Sequence, residues 1–447
     1  MRSRRTSRRR TTSSARTIEI QSLTGFRDFY PDELALRQHV FSAWRRVGAR
    51  YGFTEYDGPP LEPLELYTKK SGDEIVGQLY HFTDKGGREV ALRPEMTPTF
   101  ARMIAARAGG LPKPIRWFSI PQLFRYERPQ RGRLREHFQL NMDIVGETDP
   151  LADAEIIAAA IDALRELGLD HTHIVARISD RRLVSAILSA LGVEAIDHAA
   201  VFGALDKLEK EGPEKVGATL GERGLSDGAV DRILALGPLS LEGIAETFAA
   251  DAGVADAAAP LVEVIGHLEA SGFADYVRFD ASLVRGLAYY TGTVFEIWER
   301  SGELRAVCGG GRYDDLLSAL GGVDLPALGF GMGDVVLCEL LKDLDLVPPR
   351  SARVEDFLIC VTEDERATAL ALARALRDRG RRVSYDLRAR AVGKQFKSAN
   401  QAGAARAIVL GPEESARGVA SVRDMASGDE REVSIDALMN GDNHGKG

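Results

Sequence analysis

The chain has 447 residues, 44% of them hydrophobic, enough for about three domains with ordinary cores. No apolar run approaches the ~20 residues of a membrane span, and no secretory apolar stretch opens the chain, so neither a membrane-embedded nor an exported protein is expected. A formal net charge of −8 argues against a wholly basic nucleic-acid binder while leaving room for local basic patches.

The first 17 residues hold seven arginines and no acid. They lack an apolar face and read as a disordered leader or a misplaced start, with an auxiliary RNA contact or a targeting role as the other readings. Ordered structure is expected from Ile18. Leu34, Leu36, Val40, Phe41, Trp44 and Val47 recur near helical spacing and predict a helix over about 32–51. LYHFTDKGGREVALRP reads as a hairpin around Asp84-Lys85-Gly86-Gly87. Thr97 then reads as an N-cap with Pro98 at the first helical position, which leaves Glu95 at the mouth of the preceding strand. Residues of about 182–270, rich in Ala, Leu, Glu and Lys, read as a helical insertion, with DAGVADAAAP as a weak break inside it. Strand patterns resume at YVRFD and TVFEIW. Pro348 and Pro349 mark a linker at 346–352. Beyond it, strand and helix alternate through AIVLG (407–411), which predicts a small α/β domain over 353–440 with a largely parallel sheet, then a tail at 441–447.

Cys308, Cys338 and Cys360 are far apart and show neither disulfide nor zinc spacing, so no metal site is expected and a reducing cytoplasm is the simplest location. The two histidines of HTH (171–173) read as a solvated loop.

The most informative stretch is FRYERPQRGRLREHFQLNMDIVG, residues 124–146, which packs Arg125, Arg128, Arg131, Arg133 and Arg135 between two strand-like runs. In the second run Phe138, Leu140, Met142 and Ile144 share one parity, and Gln139, Asn141 and Asp143 share the other. A strand puts these sets on opposite faces. A row of two amides and a carboxylate beside guanidinium groups suits an anionic ligand held next to a small polar solute. A charged hairpin tip is the plainer reading.

The segment FRYERPQRGRLREHFQ resembles motif 2 of class II aminoacyl-tRNA synthetases, and LVRGLAYYTGTVFEI (283–297) resembles the histidine-specific motif of the histidyl-tRNA synthetase family. TGFRDFYPDE (24–33), ALRPEMTPTFARM (91–103) and CGGGRYDDLL (308–317) resemble further motifs of that family in the same order. KQFKSANQAGAARAIVLG resembles its anticodon-binding domain. The resemblance implies an α+β fold: an antiparallel-sheet catalytic domain over 18–345 with a helical insertion, followed by the α/β anticodon-binding domain. It also implies a homodimer. The implied activity is ATP-dependent activation of L-histidine to histidyl-adenylate, with magnesium accompanying the ATP, and transfer to histidine tRNA.

By the same resemblance Arg125 and Arg285 would flank the α-phosphate, and Glu127 and Arg133 would contact ATP. Glu95, Thr97 and Gln139 would hold the α-amino group of histidine, and Asp143, Tyr289 and Tyr290 its imidazole. Gly309, Gly310 and Gly311 would form a glycine-rich loop against the ligand, and Lys394 and Lys397 would touch tRNA. Neutral imidazole carries one donor and one acceptor, so a carboxylate and a tyrosine hydroxyl match it. The glycines also admit a tight turn, the tyrosines a core cluster, and Arg285 a surface ion pair. ALGFGMGDVVLCELL (327–341) resembles motif 3 except that Val336 stands at its arginine and Val335 at its acid, so Arg133 or Arg131 is expected to replace that cation. Ala288 stands where many relatives carry aspartate. These departures keep alive a second reading, the non-catalytic paralogue that serves as the regulatory subunit of ATP phosphoribosyltransferase.

Overall fold

A computed structural model describes residues 21–68, 77–205, 207–283, 289–348 and 354–441. The arginine-rich leader, most of the expected linker, residues 442–447 of the tail, and the segment 284–288 with Arg285 and Ala288 lie outside the described residues. The chain separates into two units at Val347/Pro348.

The first unit opens with helix α1 (Pro31–Arg50), which starts on a proline where a backbone donor is not needed and buries Val40, Phe41, Trp44 and Val47. Strand β1 (Thr54–Glu55) follows. The strands β2 (Leu61–Pro63), β3 (His81–Thr83) and β4 (Glu89–Leu92) form a three-stranded sheet with Phe82 opposite Val90. Asp84 closes the hairpin by accepting from the backbone of Gly86 and Arg88 at 2.8 and 2.9 Å. Helix α2 (Thr97–Arg107) begins on Thr97 itself. The cap position is Met96, without a side-chain bond, and the Thr97 side chain instead lies beside the Tyr289 hydroxyl.

The remaining strands of this unit are β5 (Ile115–Ser119), β6 (Gln122–Phe124), β7 (Glu136–Val145), β8 (Ile174–Asp180), β9 (Val277–Phe279), β10 (Thr293–Glu299), β11 (Cys308–Arg312) and β12 (Ala327–Gly333). They form one sheet in the order β1-β5-β7-β12-β11-β10-β8-β9, with β6 paired to β7. Among the described residues of this sheet, only β1–β5 and β8–β9 are parallel pairs. The core covers one face of this sheet, where Leu140, Met142 and Ile144 of β7 meet α1 and the alanine-rich helix α3 (Pro150–Arg165).

The helices between residues 181 and 270 divide in two. Those around Val201, Phe202, Val216, Leu220, Val230 and Ile233 share a small core of their own. The last, α4 (Ala252–Ala270), buries Val254, Leu261, Val264 and Leu268 in the main core. DAGVADAAAP is therefore no break: Asp251 accepts from Val254 N at 3.1 Å as N-cap, and the rest forms the first turns of α4, with Pro260 inside the helix. Helix α5 (Asp334–Asp343) closes the unit.

The second unit carries β13 (Val354–Cys360), β14 (Val383–Tyr385), β15 (Ala404–Leu410), β16 (Val419–Asp424) and β17 (Glu430–Ser434) in the order β14-β13-β15-β16-β17. The first three are parallel, joined through helices α6 (Arg366–Asp378) and α7 (Val392–Gln401). The last two add an antiparallel edge that the strand–helix alternation did not predict.

Candidate active site

The polar face of β7 carries His137, Gln139, Asn141 and Asp143 in a row of about 20 Å at strand rise. A cleft adjoins its His137 end, and glycines and tyrosines gather at its Asp143 end.

At the Asp143 end the floor is made by glycines. Gly329 on β12 lies opposite Asp143, and Gly331 opposite Asn141. A methyl on Gly329 would overlap Asp143 Oδ1, and one on Gly331 would lie 2.6 Å from Gln139 Nε2. On β11, Gly311 and Gly309 continue these two rows. Gly309–Gly311, expected as a loop, thus run through a central strand. Gly310 also points away from the hollow, where a methyl would meet Phe330 Cβ at 2.6 Å. The glycines of two adjacent strands, β11 and β12, make room for the Asp143 and Gln139 side chains, which lie over β12.

Around that floor stand three tyrosines. Tyr289 and Tyr290 have ring centroids 5.2 Å apart, and Tyr313 lies 5.8 Å from Tyr289. The Tyr313 hydroxyl donates to Asp143 Oδ1. Burial pushes the Asp143 carboxyl up to about 7, against the opposing pull of that hydrogen bond. Burial likewise raises the Tyr289 and Tyr290 hydroxyls, and Glu95 and Asp143 add to the effect on both. Glu95, Thr97, Asp143, Tyr289 and Tyr290 therefore come together in one hollow of the sheet's polar face, with Gln139 over Gly331 in the neighbouring row. Tyr313 was not among the residues the motifs singled out, although it lies two residues after the glycine run.

At the other end, the β6–β7 connection builds a cleft of about 110 Å³ lined by Arg125, Glu127, Arg133, His137, Arg305 and Val336, among others. Arg125 is fixed by its own backbone, which pairs with Arg135 O at 2.9 Å, and by Nε donation to Pro94 O at 2.9 Å, one residue before Glu95. Arg133 Nε lies 2.6 Å from Glu127 Oε2. The other loop arginines go elsewhere. Arg131 pairs with Asp343 at 2.6 Å, Arg135 donates to Glu127 O and covers the Tyr126 ring, and Arg128 is exposed. His137 is driven down to about 3 by burial and by Arg125, Arg27 and Arg133, so it is neutral at physiological pH. Its parity with Gln139 was the signal for it.

Behind the cleft, Arg27 from the segment before α1 ties Glu136 at 2.6 Å to Asp334 at 3.0 Å, both carboxylates being buried. Asp334 also accepts from Phe138 N at 2.9 Å. This ion cluster joins the start of β7 to the first turn of α5. Among the described residues, no group of three His, Cys, Asp or Glu side chains is arranged to hold a metal ion.

The second unit has a larger cavity of about 560 Å³ at the carboxyl ends of β13 and β14, lined by Arg366, Tyr385, Leu387, Arg388 and Arg390 together with Gln395. Gln395 holds it together, donating to Cys360 O and Arg390 O at 2.7 Å each. Lys394 and Lys397 are exposed on α7 and line none of it.

Comparison with known proteins gives a consistent picture. Residues 25–333 match the family described as Histidyl-tRNA synthetase, and residues 356–441 match the Anticodon binding domain. The chain is 46% identical to a histidine–tRNA ligase of Opitutus terrae, over 93% of this chain and 96% of that one. It is 39% identical to the chloroplastic/mitochondrial histidine–tRNA ligase of Arabidopsis thaliana, over 94% of this chain and 86% of that one. Among solved structures it resembles histidyl-tRNA synthetase from Nostoc sp. PCC 7120 with a TM-score of 0.82 at 25% identity, covering 95% of this chain and 99% of that one. It shares its fold, at a TM-score of 0.73 and 24% identity, with a Bacillus halodurans protein described as an ATP phosphoribosyltransferase regulatory subunit/histidyl-tRNA synthetase, covering 89% of this chain and all of that one.

Proposed function

The chain belongs to the histidyl-tRNA synthetase family, and from that premise we propose that the Arg125 cleft binds ATP and the glycine-floored hollow binds histidine. The overall reaction is ATP-dependent charging of histidine tRNA with histidine. In its first step a carboxylate oxygen of histidine attacks the α-phosphorus, forming histidyl-adenylate and releasing pyrophosphate. In the second, a ribose hydroxyl of the terminal tRNA adenosine attacks the activated carbonyl, and AMP leaves. Neither step needs a protein nucleophile, so the protein's part is positioning and charge neutralisation.

Arg125 takes one side of the α-phosphate, and Arg285 is assigned the opposite side. Glu127 orients the adenine while Arg133 steadies the nucleotide. Glu95, Thr97 and Gln139 receive the α-amino group, and Asp143 with Tyr289 and Tyr290 receives the imidazole. Magnesium enters with ATP, held chiefly by phosphate oxygens. Lys394 and Lys397 meet tRNA phosphates, the active form is a homodimer, and the reaction takes place in the cytoplasm. Among the described residues no helix is long and apolar enough to cross a membrane.

The observation that carries this reading is the single polar face of β7, which leads from the arginine-lined cleft to the buried Asp143. The test is histidine-dependent exchange of pyrophosphate into ATP, followed by charging of histidine tRNA. Exchange with histidine alone among the amino acids is expected. Histidine binding without exchange would instead favour the regulatory-subunit reading, which has less support because the chain keeps an anticodon-binding domain.

A further inference from the structure

The ATP cleft has one charged wall and one uncharged wall. The β6–β7 connection brings Arg125, Glu127 and Arg133, whereas the β12–α5 junction brings Gly333, Val335 and Val336. Val336 is buried, and the loop lies directly over it: a methyl on Gly132 would lie 3.2 Å from Val336 Cγ2. A long cationic side chain at 336 would have to displace that loop. Of the two loop arginines expected to compensate, Arg131 pairs with Asp343 at 2.6 Å and is not among the residues lining the cleft, and Arg133 comes from the same wall as Arg125. A third segment brings a guanidinium from another direction. Arg305, partly buried in the turn between β10 and β11, lines the same cleft.

We propose that Arg305 is the cation that binds the part of ATP released as pyrophosphate, doing from the β10–β11 turn what position 336 cannot do from α5. The inference rests on the reading of this cleft as the ATP site. Glu127 offsets one guanidinium of the cleft, and His137 contributes no charge. A polyphosphate held there needs cations from more than one direction, and a guanidinium fork suits phosphate oxygens better than an ammonium does.

The test compares the wild-type protein with Arg305→Ala and Arg305→Lys by titration calorimetry with ATP, pyrophosphate and AMP, and by exchange kinetics. Losing a charge-assisted contact to the leaving phosphates should weaken ATP and pyrophosphate binding about tenfold or more, with AMP affinity and the KM for histidine held within about twofold. Lysine should recover part of the loss. The proposal is overturned if Arg305→Ala binds ATP within about twofold of wild type, or if ATP and AMP affinities fall together, as a purely structural role would predict. If the alanine variant melts early, Arg305→Gln gives the same comparison. Arg125→Ala separates the two levels. Unchanged ATP affinity in that variant would remove the ATP site itself from this cleft, whereas weakened ATP binding there with none in the Arg305 variants would remove only Arg305.

Discussion

Tyr313 donates its hydroxyl hydrogen bond to Asp143 Oδ1, linking the residue after β11 to the middle of the sheet beneath the tyrosine cluster. Asp143 is 4% exposed and Tyr313 2% exposed, so neither group can turn to bulk water when its partner is lost. The bond aims the carboxylate and keeps its other oxygen for a ligand. Tyr313→Phe should therefore raise the KM for histidine about tenfold, the usual worth of a hydrogen bond to a charged group, and leave the KM for ATP unchanged. Steady-state exchange kinetics with each substrate varied in turn checks this. An equal rise in both constants would mean that the hydroxyl supports the whole sheet and not the hollow.

The same carboxyl makes the ligand-free protein pH-sensitive. Asp143 titrates near 7 in the folded chain against 3.8 for an unperturbed aspartate, burial being the main cause. Between those values the folded state keeps a proton that the unfolded state has released, so this group's contribution to stability is present at low pH and is lost as pH rises through about 7. The window corresponds to a few kcal/mol at about 1.4 kcal/mol per pH unit. His137 runs the other way, because its lowered value removes stability as pH falls from the ordinary histidine range toward 3. The comparison must therefore be a difference. Asp143→Asn should gain thermal stability relative to wild type as pH is raised from 5 to 8, read by differential scanning calorimetry. A difference that stays constant with pH would show that the buried carboxyl is not the titrating group.

Two glycines in neighbouring strands should fail in different ways. A methyl at Gly329 enters the hollow and overlaps Asp143 Oδ1, whereas one at Gly310 presses on Phe330 on the other face. Gly329→Ala should lose about 100-fold in kcat/KM for histidine, the scale of a small misplacement of a reacting group, with a fall in Tm because the methyl also meets Met142 O at 2.6 Å. Gly310→Ala should lower Tm more, because every close contact of its methyl is β12 backbone or the base of a core aromatic, with no side-chain end that can swing aside. Melting curves measured beside exchange kinetics separate the two, and the reverse ranking would show that the faces are misassigned.

How far the site could be read beforehand follows from the range of the interactions that make it. Period-two alternation in β7 is local, so the split of Leu140, Met142 and Ile144 from Gln139, Asn141 and Asp143 needs no tertiary information. The alternating glycines of ALGFGMG carry the same kind of signal, but their purpose depends on which strand lies beside them, and β12 pairs with a strand far away in sequence. Arg305 has no local signature at all, since a turn arginine reads as solvated until the sheet brings it to Val336. The helical block was legible as helix, but the assignment of α4 to the main core depends on its packing against α3. The strands β16 and β17 are short, and the edge strand β17 is largely polar, which left them hidden.

The second unit offers two basic surfaces, and their chemistry predicts different responses. Lys394 and Lys397 project from the exposed side of α7, while Arg388 and Arg390 line the cavity beside Tyr385. Exposed ammonium groups suit phosphates, which position an RNA without reading it; guanidinium groups beside an aromatic ring in a concave site suit bases. Charge reversal at Lys394 and Lys397 should raise the KM for tRNA and lower the salt dependence of binding by about 0.7–0.9 per lost phosphate contact. Pyrophosphate exchange should be unaffected, since it needs no tRNA. Arg388→Ala and Arg390→Ala should instead reduce the discrimination between histidine tRNA and an anticodon variant of it, with a smaller change in salt dependence. Filter binding across a salt series with both RNAs distinguishes the two outcomes. If the lysine variants lose discrimination while the arginine variants lose only affinity, then α7 reads the bases and the cavity merely attracts the backbone.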